Sequence, residues 1–236
     1  MLNELTTTAS FNRIKVQVRV LMALRMADPE VPMFRLLASP KSPVRSVKDL
    51  AGVSVGISKN TVIEYVTDRL LQAEGLDPVR IRKRSVPVIP ERYQLLMQNR
   101  LEAAVLPDPL GKSAIESGAH RIIDDSAYPQ YSVSVLSFSI EAVAGKPKAI
   151  RSFLKAWDRA AEDINRNPDT YRPLLLEKIR IPKQIQSTFP IPPFTRSAVP
   201  SASQWTDVIR WMTAKGLLSS PLTYEGSVSP AFLPSD

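Results

Sequence analysis

Ser58, Lys59, Asn60 and Thr61 stand between an apolar run ending at Ile57 and an amphipathic run beginning at Val62. A strand that turns straight into a helix leaves backbone N–H groups unpaired at the turn. Those groups and the helix dipole suit an oxyanion or the polar end of a small solute. Thr61 and Glu64 have capping-box spacing, and capping alone accounts for both residues. If Glu64 instead faces a solute, its carboxylate favours an amino group and repels an anion. Asp108, in Pro107-Asp108-Pro109, closes a second apolar run, Leu101–Leu106. It is a candidate ligand group at the same kind of strand end, with a turn or cap role as the plainer alternative. Ser58, Asn60, Thr61, Glu64 and Asp108 are therefore the candidate ligand-binding set.

These groups bind rather than react. The chain has no cysteine and a single histidine, His120. Cysteine nucleophiles, cysteine metal sites, histidine-rich metal sites and a conventional Ser-His-Asp triad are thus excluded or disfavoured. His120 follows what reads as a helix end, where a solvated imidazole suits the dipole. No catalytic residue, metal site or cofactor is expected. The formal charge of +8 on 236 residues invites a nucleic-acid or acidic-membrane reading. The basic residues are spread along the chain, however. The densest cluster, Arg80, Arg82, Lys83 and Arg84, reads as a charged edge strand. No nucleic-acid partner is expected, only a lean towards anionic solutes. No segment is long and apolar enough to span a bilayer. The first twenty residues lack the basic head and apolar block of a signal peptide.

The elements that must position the candidates follow from periodicity. Val53, Val55 and Ile57 form a strand with Gly56 among them, and Val62, Ile63, Val66, Leu70 and Leu71 recur at helical spacing as far as Gly75. Upstream, Leu2–Ala9 reads as helical. Ile14, Val16, Val18 and Val20 alternate as a half-buried strand, and Met33–Ala38 is a further apolar run. Ser39–Pro43 is a rigid polar connector, and Ser46–Leu50 a short capped helix. Downstream come a strand over Ile81–Val88, a helix opening at Pro90, the strand Leu101–Leu106 and a helix over Leu110–Ser117. Strands at Arg121–Ile123 and Tyr131–Phe138 follow. Lys146–Arg166 keeps one apolar face over four turns, and Thr170–Ile179 and Ser201–Lys215 are further helices. Alternating strands and helices argue for a mainly parallel sheet. The strand-poor C-terminal part must pack on something else, which makes the two chain ends one body and the middle another.

With these residues assembled, the chain resembles the solute-binding proteins of ABC importers, in the subgroup for nitrate, sulfonates, taurine and thiamine-precursor pyrimidines. The carrying residues are Ser46–Gly52 before the strand Val53–Ile57, and Leu101–Leu110. Ala114–Gly118, the helix Phe153–Ile164 leading to Asn167-Pro168, and Trp211–Leu218 into Tyr224-Glu225 also match. The resemblance implies an α/β, two-lobe, type II periplasmic-binding-protein (Venus flytrap) fold with a small-molecule solute between the lobes. Residues 1–45 and 139–236 would form the first lobe and 46–138 the second, with hinges near Ser39–Pro43 and Ser137–Ile140. It further implies a periplasmic or lipid-anchored extracytoplasmic location, a monomer, and delivery to an ABC permease in the membrane. Family members begin with a signal peptide and several first-lobe elements before anything like Leu2–Leu5. The first lobe is thus expected to lack its N-terminal strands here. Two alternatives share the fold. A thiamine-pyrimidine biosynthetic enzyme needs a cysteine-rich segment that this chain lacks. A ligand-binding effector domain of a transcription regulator needs a DNA-binding helix pair.

Overall fold

The computed structural model describes residues 1–234. In chain order the elements begin with β1 (Leu2–Glu4), α1 (Leu5–Asn12), β2 (Val18–Met26), β3 (Phe34–Ala38), β4 (Ser54–Ile57) and α2 (Val62–Ala73). Next are β5 (Arg82–Ser85), α3 (Ile89–Met97), β6 (Ala103–Pro107), α4 (Leu110–Glu116), β7 (His120–Asp124) and β8 (Val133–Ser139). The helices α5 (Ile140–Gly145), α6 (Pro147–Arg166), α7 (Arg172–Lys178), α8 (Ala202–Ala214) and α9 (Tyr224–Ser227) complete the described chain. They fall into two compact units. One takes Met1–Met26, Val133–Tyr171 and the chain from Pro192 onward; the other takes Ala27–Ser132 and Arg172–Ile191.

The first unit is built on a three-stranded antiparallel sheet with β8 between β1 and β2. Residues Val20–Leu24 of β2 are buried without alternation, as in a strand covered on both faces. Leu21, Met22, Leu24 and Leu136 pack with Ile150 and Leu154 of α6. On α8, Trp205, Val208, Ile209 and Met212 are buried. A full capping box starts that helix, Ser201 accepting from Gln204 N–H while the Gln204 side chain accepts from Ser201 N–H.

Two expectations are corrected here. Leu2–Glu4 is a strand paired with β8, not the start of a helix. The strand expected from Ile14 starts at Val18, and Ile14 is 85% exposed. The cause is Asn12. Its buried carboxamide accepts from the N–H groups of Gln17 and Val18 and donates to the Val18 carbonyl, which bends residues 13–17 into a loop.

The second unit carries a five-stranded mixed sheet in the order β5-β4-β6-β3-β7. β4 is parallel to β5 and β6, but β3 is antiparallel to both β6 and β7. The expected mainly parallel sheet is therefore half antiparallel. Leu36, Leu37 and Ala38 have no exposed surface. An apolar run demands neighbours on both sides and says nothing of its direction. Because β3 pairs with β6 and β7, residues 27–45 lie with the middle of the chain, where the sequence reading put them with its ends; Arg172–Ile191 lie there too, and 133–138 lie with the ends rather than the middle. The connector Ser39–Pro43 is bound inside this unit, with Ser39 N–H on the Glu102 carbonyl and Lys41 N–H on the Asn99 side chain. The chain passes between units at Met26–Ala27 and Ser132–Val133, and again after Tyr171 and Ile191. Ile181, Ile185 and Phe189 make a small core of their own, and Gln184 Nε2 donates to Ser113 Oγ.

Candidate functional site

β4 is buried from Val55 to Ile57, and Gly56 has no room for a side chain. A Cβ there would lie 2.7 Å from Leu101 Cδ1 and 3.4 Å from the Arg92 stem. Past Ile57 the chain turns through Asn60, which adopts φ 62°, a left-handed conformation that asparagine tolerates better than most residues. Thr61 caps α2: its Oγ1 accepts from Ile63 N–H at 3.2 Å and donates to the Ser58 carbonyl at 2.8 Å. Glu64 reaches back to the Asn60 N–H at 2.7 Å. The helix closes at Gly75, whose φ is +78°.

The five expected ligand residues divide by exposure. Asn60 and Thr61 are exposed, and Ser58 is buried beside them. Glu64 is buried and ion-paired at 3.2 Å to Lys83, which also pairs with Asp68. Its carboxylate is thus used within the unit, and the argument for an amino-bearing solute loses its premise. Asp108 lies on the far side of β6. Arg35 grips both its oxygens, at 2.7 and 2.8 Å, and Lys112 N–H donates to it at 3.0 Å. Its side chain is 1% exposed. Gly111 leaves space for this pair, since a Cβ there would stand 2.8 Å from Asp108 Oδ1 and 2.9 Å from Arg35 Cδ. His120 opens β7 rather than closing a helix, and its Nε2 lies 3.1 Å from the Pro40 carbonyl.

Sequence reasoning missed Arg92. It is fully buried on α3, and its Nη1 donates to Ser58 Oγ at 2.8 Å and to the Val86 carbonyl at 2.7 Å. Nε and Nη2 have no hydrogen-bond partner among the described residues. Burial pushes its pKa down to about 10, and no neighbouring carboxylate pulls it back. The signal was present in the sequence. Arg92 precedes Leu95 and Leu96 at i+3 and i+4, so it occupies the apolar stripe of its helix.

Beside the Arg35–Asp108 pair, Asp125 accepts from Met33 N–H at 2.9 Å and Phe34 N–H at 3.2 Å. Burial raises its pKa to about 6, helped by the neighbouring Asp124 charge and against the downward pull of those two N–H groups. A folded-state pKa above the ordinary 3.8 means that the folded chain holds the proton longer. This group's contribution is full below pH ~4 and is lost as pH rises through about 6, roughly 3 kcal/mol in all. Wild-type stability should fall between about pH 4 and about pH 6.5 relative to Asp125→Asn and level off above, measured by urea unfolding at each pH. Parallel pH curves for the two proteins would rule this out.

Among the described residues no group of histidine and acidic side chains could hold a metal ion, and no helix is long and apolar enough to cross a membrane. A family model described as NMT1/THI5 like matches residues 29–171. No curated protein sequence matches the chain. The periplasmic aliphatic sulphonate binding protein SsuA from Escherichia coli is 16% identical, over 95% of this chain and 72% of that one, with a TM-score of 0.78. The alkanesulfonate-binding protein SsuA from Xanthomonas axonopodis pv. citri, bound to MOPS, is 14% identical over 95% and 76%, with a TM-score of 0.73. The desulfurization enzyme DszB is 14% identical over 98% and 82%, with a TM-score of 0.71. At these identities the likeness is one of fold: the chain has the α/β periplasmic-binding-protein fold.

Proposed function

The chain belongs to the NMT1/THI5-like family, and on that premise we propose that it is the solute-binding component of an ABC importer. In this reading it binds a small anionic or heteroaromatic solute outside the cytoplasm, as a periplasmic or lipid-anchored monomer. It then hands the solute to a permease in the membrane. Support comes from the sulfonate-binding proteins that share its fold. The observation that carries the reading is the polar turn at the carboxyl end of β4. Asn60 is exposed there, and its side chain makes no hydrogen bond within the described protein. The carboxyl ends of strands are where open α/β sheets receive ligands. Ser58, Asn60 and Thr61 line the proposed site, and Glu64 holds the turn through the Asn60 N–H.

The likeness to DszB keeps an enzymatic reading in view. Against it, the chain has no cysteine, and its one imidazole sits on β7 against the Pro40 carbonyl. The test is thermal unfolding with sulfonates, nitrate, bicarbonate, aminopyrimidines and thiamine. A bound solute at about 100 times its Kd should stabilise the chain by roughly 2.7 kcal/mol. Asn60→Gly keeps the positive φ and removes the carboxamide. It should weaken binding ~5-fold or more, the loss of about one hydrogen bond, with little change in unfolding temperature. A panel in which nothing shifts the transition would refute the transport reading, and unchanged affinity in the glycine variant would refute the role of the turn.

A further inference from the structure

We propose that Arg92 is the anion receptor of a site within the β4–β5–α3 layer, taking one oxyanion group of the solute on the guanidinium edge formed by Nε and Nη2. The proposal rests on the solute-binding reading above and names the class of its ligand: a sulfonate, sulfate, phosphate or carboxylate.

The first support is which atoms are used. Nη1 is spent on Ser58 Oγ and the Val86 carbonyl. The unpartnered pair, Nε and Nη2, is the side of guanidinium whose two N–H bonds run parallel. That side matches two oxygens of one carboxylate or sulfonate. Lysine in the same place could present a charge but not this fork.

The second is position. Ser58 follows β4 and Val86 follows β5, so the guanidinium is anchored at the carboxyl ends of two parallel strands. The Arg92 stem runs over Gly56, where a Cβ would touch it at 3.4 Å and clash with Leu101 Cδ1 at 2.7 Å.

The third is the absence of any internal neutralising partner. Two half-buried cations of this unit are held by carboxylates: Arg35 by Asp108 and Asp124, and Lys83 by Glu64 and Asp68. Arg92 meets only a hydroxyl and a carbonyl. A buried charge without a counter-charge is strongly destabilising, and such conflicts between stability and sequence are concentrated at functional sites. Arg92 has no exposed surface, so an oxyanion reaches it when its cover moves. The residues next in sequence to its anchors, Lys59 and Asn60 after Ser58 and Pro87 and Val88 after Val86, are exposed.

The test is thermal unfolding of the full chain titrated with sodium methanesulfonate, sulfate, phosphate or acetate, against chloride at matched ionic strength. Wild type should be stabilised by at least one oxyanion beyond the chloride control. R92M should raise the half-saturating concentration ~30-fold or more, as expected from losing charge-assisted bonds. R92K, retaining charge without the fork, should fall between them and serves if R92M does not fold. In chloride alone R92M should unfold no earlier than wild type, because it removes an unpaired charge; a merely structural arginine would give the opposite. Wild-type oxyanion affinity in R92M or R92K, or no oxyanion response in wild type, overturns the proposal. If wild type answers only to neutral solutes, this inference fails while the solute-binding reading stands. If it answers to no solute of either kind, both fail.

Discussion

Asp108→Ala should cost about 3–5 kcal/mol of stability, although the residue stands at a strand end where a ligand group was expected. Both Asp108 oxygens are gripped by Arg35, and one also receives Lys112 N–H at the start of α4. Truncation leaves the Arg35 guanidinium in a nearly dry place with one weaker partner, Asp124, at 3.6 Å. That residual partner puts the expected loss nearer the lower figure. Urea unfolding of wild type, D108A, R35M and the double variant would measure it. The double variant should lose less than the two single losses added together, since it removes both charges at once. A D108A protein within about 1 kcal/mol of wild type would show that the pair is not what secures β3 against β6.

Trp205→Ala should cost a similar 3–5 kcal/mol in the other unit. Trp205 is almost fully buried, and its Nε1 donates to the Leu222 carbonyl at 3.0 Å. The indole therefore fills the inner face of α8 and pins the segment that leads into α9. Trp205→Phe separates the two roles. It keeps most of the apolar volume and should recover all but ~1–2 kcal/mol, the share left to the missing hydrogen bond and the smaller ring. If phenylalanine does no better than alanine, anchoring of Leu222 outweighs packing.

Much of the fold could be read from the sequence wherever one period ran uninterrupted. α2, α6 and α8 show their apolar faces over several turns, and their described bounds fall close to those expected. The failures have specific causes. The alternation of Ile14, Val16, Val18 and Val20 is real, but a single buried asparagine overrides its first half. β3 reads as buried, yet no local feature states that it runs against β6 and β7. At the site, the turn and its cap were visible because capping is local. The fate of Asp108 was not, because Arg35 lies 73 residues earlier. Arg92 was hidden differently. Its charge read as surface, whereas its place in the helical stripe pointed inward.

The weave of the chain through its two units sets a timetable for synthesis. The sheet from β3 to β7 has left the ribosome by Asp124, but Arg172–Ile191, which belong to the same unit, come much later. At ~5–20 residues per second that interval lasts several seconds. During it Ser113 lacks the Gln184 side chain that later binds it. The first unit waits still longer, because β1 and β2 have no β8 until residue 139 is made, and α8 follows later again. Nascent chains of this protein thus pass through a stage at which one sheet has its helices α2, α3 and α4 but lacks the Arg172–Ile191 segment, and the other is not yet assembled. A holding chaperone would engage at that stage, and a protease would cut there.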